Sequence, residues 1–300
     1  IDGRPVYWNT PVSSRFNRVI LMTNTSEGFQ NSLTFQLQKQ FGQGLLPGLS
    51  CNLSYTYSHA KDINSNASSS RAISSWQYNY ALDPNNPELA TSDYDIPHRI
   101  LANASYKLRY GDGFSTTIGL LYEGRSGSPY SLVYYGNANN DNAEYGTNND
   151  LCYIPTGPDD PKVELLLDKT QTANGTTKEQ VWASFEEYIK QIEGIEDYRG
   201  KVAPRNAFRA KWRNQFDLRL TQILPVFDKK TVEVTLDFVN FLNWLNSDWG
   251  RIEYISYNSV TMLTYVGTKN NASGPIKINF NPKYTNIYQY SDVASRWQMQ

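Results

Sequence analysis

Hydrophobic and polar residues alternate along much of the chain. From Leu49 the odd positions read Leu49, Cys51, Leu53, Tyr55 and Tyr57, and the even ones Ser50, Asn52, Ser54, Thr56 and Ser58. A two-residue period puts the first set on one face of a β-strand and the second on the other. The pattern recurs at Leu33, Phe35 and Leu37 against Ser32, Thr34, Gln36 and Gln38. It returns at Ile100, Ala102, Ala104, Tyr106 and Leu108 against Arg99, Asn103, Ser105, Lys107 and Arg109, with Leu101 as the exception. Further copies run through Phe114, Ile118, Leu120 and Tyr122, through Phe216, Leu218 and Leu220, and through Val232, Val234, Leu236 and Phe238. A weaker seventh segment spans Phe16 to Asn24. Most of these predicted strands are about 9 to 12 residues long, the length that crosses a bilayer at a tilt rather than the usual 5 to 6 of a soluble sheet. The connections alternate too. Gly111 to Gly113 and Leu224 to Lys230 are brief, whereas 61–97 and 124–213 are long and polar. Short turns at one end and long loops at the other are the layout of outer-membrane barrels. A soluble β-sandwich also alternates, but with shorter strands and loops.

Composition sharpens this reading. The 300 residues include 22 tyrosines and are 14% aromatic, yet mean hydropathy is only −0.58. A barrel wall reconciles the two, since only alternate side chains need lipid. Tyr55, Tyr57, Tyr110, Phe114 and Tyr122 gather near the predicted strand ends, as interfacial girdles do. The longest purely aliphatic run, Val19 to Met22, is far too short for a membrane helix. With 28 basic and 29 acidic residues there is no positive excess for nucleic acid, so no nucleic-acid partner is expected. Two cysteines, Cys51 and Cys152, and two histidines, His59 and His98, exclude zinc modules and disulfide scaffolds. The N-terminus has no signal-peptide pattern, so the chain is expected to be processed or part of something longer.

Several ordered motifs add a family. Asn24-Thr-Ser-Glu-Gly28, Ser54-Tyr-Thr-Tyr-Ser-His-Ala-Lys-Asp62, Ser92-Asp-Tyr-Asp-Ile-Pro-His-Arg99 and Gly124-Arg-Ser-Gly-Ser-Pro-Tyr130 come first. Asn149-Asp-Leu-Cys-Tyr-Ile-Pro155, Tyr198-Arg-Gly200, Pro204-Arg-Asn206, Asn214-Gln-Phe-Asp-Leu-Arg-Leu220 and Asp237-Phe-Val-Asn-Phe-Leu-Asn243 follow. Together they resemble the C-terminal part of the barrel of TonB-dependent outer-membrane receptors, in particular the Oar-like group. The resemblance implies an all-β, antiparallel transmembrane β-barrel of Gram-negative cells, in full about 22 strands around a plug. Of these the chain would hold about seven strands and, at Ser295 to Gln300, the start of the closing one. Residues 1–300 are then the C-terminal portion of the barrel, with 61–97, 124–213 and 243–294 as extracellular loops and no plug domain. The implied function is TonB-dependent uptake of a solute; the alternative is surface adhesion or binding without transport. The implied partners are the plug of the same protein, the TonB complex through an N-terminal part, the bilayer, and an unidentified glycan, peptide or metal chelate.

If the apolar face meets lipid, Arg99, Lys107, Arg109, Glu123, Asp217, Arg219, Glu233 and Asp237 line the lumen or face the plug. A turn near residues 226 and 227 would set Arg219 opposite Glu233. Structural pairing within the wall and contact with solute are both open for this set. One helix is expected in the long loop: Thr176 and Glu179 form a capping box, Trp182, Phe185, Ile189 and Ile192 recur at helical spacing, and Gly194 ends it. Tyr130, Tyr134 and Tyr135 are expected to extend the sheet above the membrane and offer a ligand-binding surface. The Asn-rich stretch 137–150 carries Asp141, Glu144 and Asp150, but without EF-hand spacing a solvated loop is the plainer reading and no metal is assigned. His59 and His98 fall near each other at strand ends, too few for a metal site, and Cys51 and Cys152 lie too far apart to bridge. No GxSxG or histidine–nucleophile arrangement occurs, so neither an enzyme nor a cofactor is expected.

Overall fold

Six long strands carry the alternation: β1 (Phe29–Gln40), β2 (Leu49–Asp62), β3 (His98–Tyr110), β4 (Phe114–Arg125), β5 (Arg213–Pro225) and β6 (Thr231–Val239). They come from a computed structural model that describes residues 2–7, 15, 19–42, 46–66, 72–141, 148–227, 230–267, 274–281 and 286–300. The strands hydrogen-bond in chain order, all antiparallel, and the short strand Gln298–Met299 adds a seventh beside β6. Ala90–Thr91 pairs with the end of β2. Of the expected strand at 16–24, the described part, 19–24, is not a strand. Residues 16–18 lie outside the described part, and 19–24 join no ladder among the described residues. The run Val19-Ile-Leu-Met22 is contiguous rather than alternating, so no strand register could put it all on one face.

The register keeps like faces together across the whole wall. Leu37 stands opposite Leu53, Leu53 opposite Ala102, Ala102 opposite Tyr122, and Tyr122 opposite Phe216. Leu218 continues the row to Phe238, and Phe238 to Met299. The polar row runs in parallel: Thr34 faces Thr56, Thr56 faces Arg99, Arg99 faces Arg125, and Arg125 faces Arg213. A slip of one residue at any pair would mix the two sets. Among the described residues nothing covers the apolar face: Phe35 is 62% exposed, Leu37 69%, Leu53 47% and Leu120 45%. A soluble sandwich would bury these residues against a second sheet, so that alternative is discarded.

Three short turns close one end of the wall. In the tightest, between β3 and β4, Gly111 and Gly113 both take left-handed backbone angles that a side chain would resist. At the other end, the described parts of the excursions 63–97, 126–212 and 240–297 fold together into a cap, Ala90–Thr91 alone returning to pair with β2. Its main sheet orders Phe208–Arg209, Pro129–Tyr135, Ser259–Tyr265, Ile276–Asn279 and Val163–Leu165. Ser259–Tyr265 runs parallel to Pro129–Tyr135, and Ile276–Asn279 parallel to Val163–Leu165. Parallel pairing arises here because the partners come from different excursions, which gives the chain room for a crossover.

The helix Lys178–Ile189 is present, capped one residue later than expected, by Thr177 with Gln180 as the box partner. The loops also hold short helices at Ala72–Gln77, Lys169–Ala173, Phe241–Leu245 and Asp292–Ser295, where one helix was expected. Trp182, Phe185, Ile189 and Ile192 are buried in the cap, and Phe185 packs edge-on to Phe280 at 5.3 Å. The hydrophobic core of the described chain therefore lies in the cap, built mainly from the second and third excursions.

Candidate functional site

The polar face of the wall is charged at its cap end. Arg99, Arg125 and Arg213 sit side by side on β3, β4 and β5. Glu123 neutralises one of them, its Oε1 accepting from Arg99 Nε at 3.0 Å. Arg125 and Arg213 had not stood out in the sequence because each lies at the edge of a long loop; only the register shows them adjacent. Further from the cap, Arg219 makes a two-pronged pair with Asp237, at 2.6 and 2.8 Å. This corrects the expected Arg219–Glu233 pair. The turn after β5 centres farther along, Val226 N–H donating to Lys230 C=O, so Glu233 falls opposite Ile223. Asp217 accepts from the Asn240 amide at 2.8 Å, fixing the exit of β6. Lys107, Arg109 and Glu233 have no ion-pair partner among the described residues and remain open to a second molecule or segment.

A buried polar latch joins cap and wall, and the residues that carry the resemblance make it. Arg205 is buried and donates to the Asp62 carboxylate at 2.5 Å and to the Asp62 carbonyl at 2.6 Å. Its neighbour Asn206, in a left-handed conformation, donates to Asp93 at 2.6 Å and to the Thr91 carbonyl at 2.8 Å. Asp95, fully buried, accepts from the Ala60 amide at 2.6 Å and is paired with Arg209. Pro204-Arg-Asn206 and Ser92-Asp-Tyr-Asp95 thus meet across more than 100 residues of chain. Buried charges held in this way are costly to orphan, which makes the latch a structural device rather than a ligand site.

The cap carries a partly open cavity of about 820 Å³ to which all three excursions contribute, through Tyr80, Tyr135 and Tyr257 among others. A family model described as "Outer membrane beta barrel domain" matches residues 3–249. The chain belongs to that family. Comparison with curated proteins and with solved structures finds no match. Membership locates this outer-membrane barrel domain in the outer membrane, and the exposed apolar face of the wall is then the surface that meets lipid. Tyr110 and Phe114 stack at the turn end of that face, 6.2 Å between ring centres, and Tyr122 and Phe216 pair nearer the cap at 4.6 Å.

The three tyrosines expected to bind ligand part company in the barrel domain's cap. Tyr130 and Tyr134 are 1% and 0% exposed, locked into the core, because Pro129–Tyr135 joins the cap sheet instead of extending the wall. Tyr135 is 60% exposed and lines the cavity. The Asn-rich segment is a packing element where it is described. Asp150, fully buried, accepts from the Ala138 amide at 2.6 Å and from Arg4 at 3.2 Å. Burial, opposed by Arg4, pushes its carboxyl up to about 6. Arg4 also lies over the Tyr134 ring and donates to the Leu151 carbonyl, so the segment at 2–7 is docked into the cap. Glu144 lies outside the described residues, and no cluster of three metal-ligating side chains occurs among those described. His98 is hydrogen-bonded to Tyr55 at 2.8 Å, and His59 lies 3.8 Å from Asp95. Both cysteines are free, Cys51 in β2 and Cys152 in the cap core.

Proposed function

We propose that this barrel domain belongs to a protein that imports a solute across the outer membrane through a plugged lumen, energised through a TonB-type complex of the inner membrane. The carrying observation is the stacking of two features at one end of the wall. A cavity-bearing cap sits where the polar face is richest in charge, at Arg99, Arg125, Arg213 and Glu123. Such an arrangement suits capture outside followed by passage along a polar interior. The ordered resemblance to TonB-dependent receptors of the Oar-like group supports the same reading. In it, Lys107, Arg109, Asp217, Arg219, Glu233 and Asp237 face the plug or the passing solute. All twelve residues of β1 are exposed, and hydrocarbon does not tolerate an unpaired strand edge, so this reading requires a further strand beside β1.

The test is uptake by intact cells carrying or lacking the full gene, across a panel of sole carbon, nitrogen and iron sources. Import predicts that deletion abolishes growth on at least one source, and that collapsing the proton-motive force stops accumulation in the wild type. A second reading, surface adhesion, is favoured by the cap's own hydrophobic core, which does not require the wall to be a pore. Adhesion predicts binding to the cell surface that survives collapse of the proton-motive force, with no accumulation inside.

A further inference from the structure

The walls of the cap cavity have an unusual chemistry for their size. Among the described lining residues are five tyrosines, five carboxamides and four hydroxyl side chains, and no Asp, Glu, Lys or Arg. Elsewhere the cap is well supplied with charge, at Asp150, Asp160, Glu186 and Arg199, so the exclusion is local. A charged ligand entering here would lose part of its water and find no counter-charge among these described residues.

Four of the carboxamides, Asn148, Asn281, Asn286 and Gln289, are half engaged. Asn148 Oδ1 accepts from the Gly136 amide at 3.2 Å, Asn286 Oδ1 from the Tyr288 amide at 3.0 Å, and Gln289 Oε1 from the Ser256 hydroxyl at 2.8 Å. These bonds fix three amide NH2 groups that have no other partner among the described residues. Asn281 is held the opposite way, its Nδ2 donating to Asp168 at 2.7 Å and its carbonyl oxygen left over. The cavity thus presents oriented donors and acceptors whose positions are set before anything binds.

Aromatic surface completes it. Tyr257 is 84% exposed although its φ is +55°, and its neighbour Asn258 has φ +51°. Two successive non-glycine residues in the left-handed region cost energy, and such strain persists where the surroundings impose it. Tyr80 holds this segment, its hydroxyl donating to the Tyr257 carbonyl at 2.7 Å while burial pushes its phenol up to about 12, keeping the proton on. The backbone is bent to hold a tyrosine ring at the rim, with Tyr135 also open to the cavity.

We propose that the cavity binds a neutral oligosaccharide. Neutral sugar rings have apolar C–H faces that lie against aromatic rings and hydroxyls that both donate to and accept from carboxamides, and they carry no charge to strand. The inference rests on the import reading for its place in the cell, since the cavity would be the first stop of the imported solute. Among glycans, peptides and metal chelates it selects the first, because peptide termini and anionic chelates would go unpaired here.

The experiment titrates the full-length protein, purified in detergent, against an array of neutral oligosaccharides (α- and β-linked glucans, xylans, mannans and chitin fragments), with oligogalacturonides, tripeptides and ferric citrate alongside. At least one neutral class should bind and the charged probes should not. Tyr257→Gly, which removes the ring and suits the positive φ, and Gln289→Ala should each weaken that binding at least tenfold. Both should leave the heat-dependent gel mobility unchanged, showing a folded protein. Binding of the charged probes only, no binding of any neutral glycan by a folded protein, or full affinity in both variants would overturn the proposal. Energy-dependent uptake with no neutral-glycan binding would reject this inference and leave import standing; glycan binding without uptake would do the reverse.

Discussion

Wall and cap use the same side chains under opposite rules. In the wall Phe35, Leu37 and Val234 are more than half exposed, while in the cap Phe185 and Ile278 are at 1% and 0%. A water-soluble chain could not leave so continuous an apolar face uncovered. The difference is one of solvent: hydrocarbon lies outside the wall and water outside the cap. Each region then satisfies its backbone in its own way, the wall through long uninterrupted ladders, the cap through short strands, capped helices and buried carboxylates such as Asp95 and Asp150.

The largest test of this contrast removes a cap anchor. Phe185→Ala should cost the cap about 3–5 kcal/mol, as loss of a buried aromatic does, and should expose the excursions to limited proteolysis while the wall keeps its heat-dependent gel shift. Simultaneous loss of both would show that the two regions are one cooperative unit. Next come the adjacent leucines of β4. Leu120→Arg places charge on the lipid face and should cost about 2–4 kcal/mol in unfolding from bilayers, whereas Leu121→Arg, opposite Asn103 and Asp217 on the polar face, should cost much less. Leu53→Arg against Ser54→Arg should repeat the result on β2.

A third test belongs to the cap alone. The Asp150 carboxyl, pushed up to about 6 from an ordinary 3.8, binds its proton more tightly in the folded cap than in the unfolded chain. Its contribution is therefore fully present below 3.8 and is lost as pH rises through 6, by about 3 kcal/mol at most. Hydrogen-exchange protection at 132–134 and 150–152, corrected for intrinsic rates, should fall between pH 4 and pH 7.5, and Asp150→Asn should flatten the profile. Protection rising with pH would contradict the burial argument. The smallest effect is expected at the solvent-exposed Arg219–Asp237 pair. A double-mutant cycle there should show a coupling that salt abolishes, without a measurable shift of the unfolding midpoint.

Much of the wall was legible in the sequence because a period of two is read from each strand alone. Leu49 to Tyr57 and Ile100 to Leu108 fall on one face as their alternation requires, and Leu101 and Leu121 point to the polar side as exceptions. What failed was pairing across a turn: the turn after β5 centres farther along than expected, and Arg219 meets Asp237 in place of Glu233. The helix cap slipped by one because Thr176-Thr177 and Glu179-Gln180 offer two overlapping boxes, and only packing of the apolar stripe chooses between them. The cap sheet was not legible at all. Its strands are 2–7 residues long and pair across excursions far apart in sequence, so Tyr130 and Tyr134 read as exposed when they are core. The cavity was visible only through Tyr135, since its other lining residues gain meaning from being brought together.

The central claim is that the apolar face of the wall meets hydrocarbon. Spin labels placed singly at Phe35, Leu53, Ala104 and Leu120, and at the neighbouring Thr34, Ser54, Ser105 and Gly119, would test it in the full-length protein in bilayers. Oxygen, which concentrates in lipid, should relax the first set, and a water-soluble nickel complex the second. Equal accessibility to both reagents along each strand, or protection of the first set from both, would contradict the account.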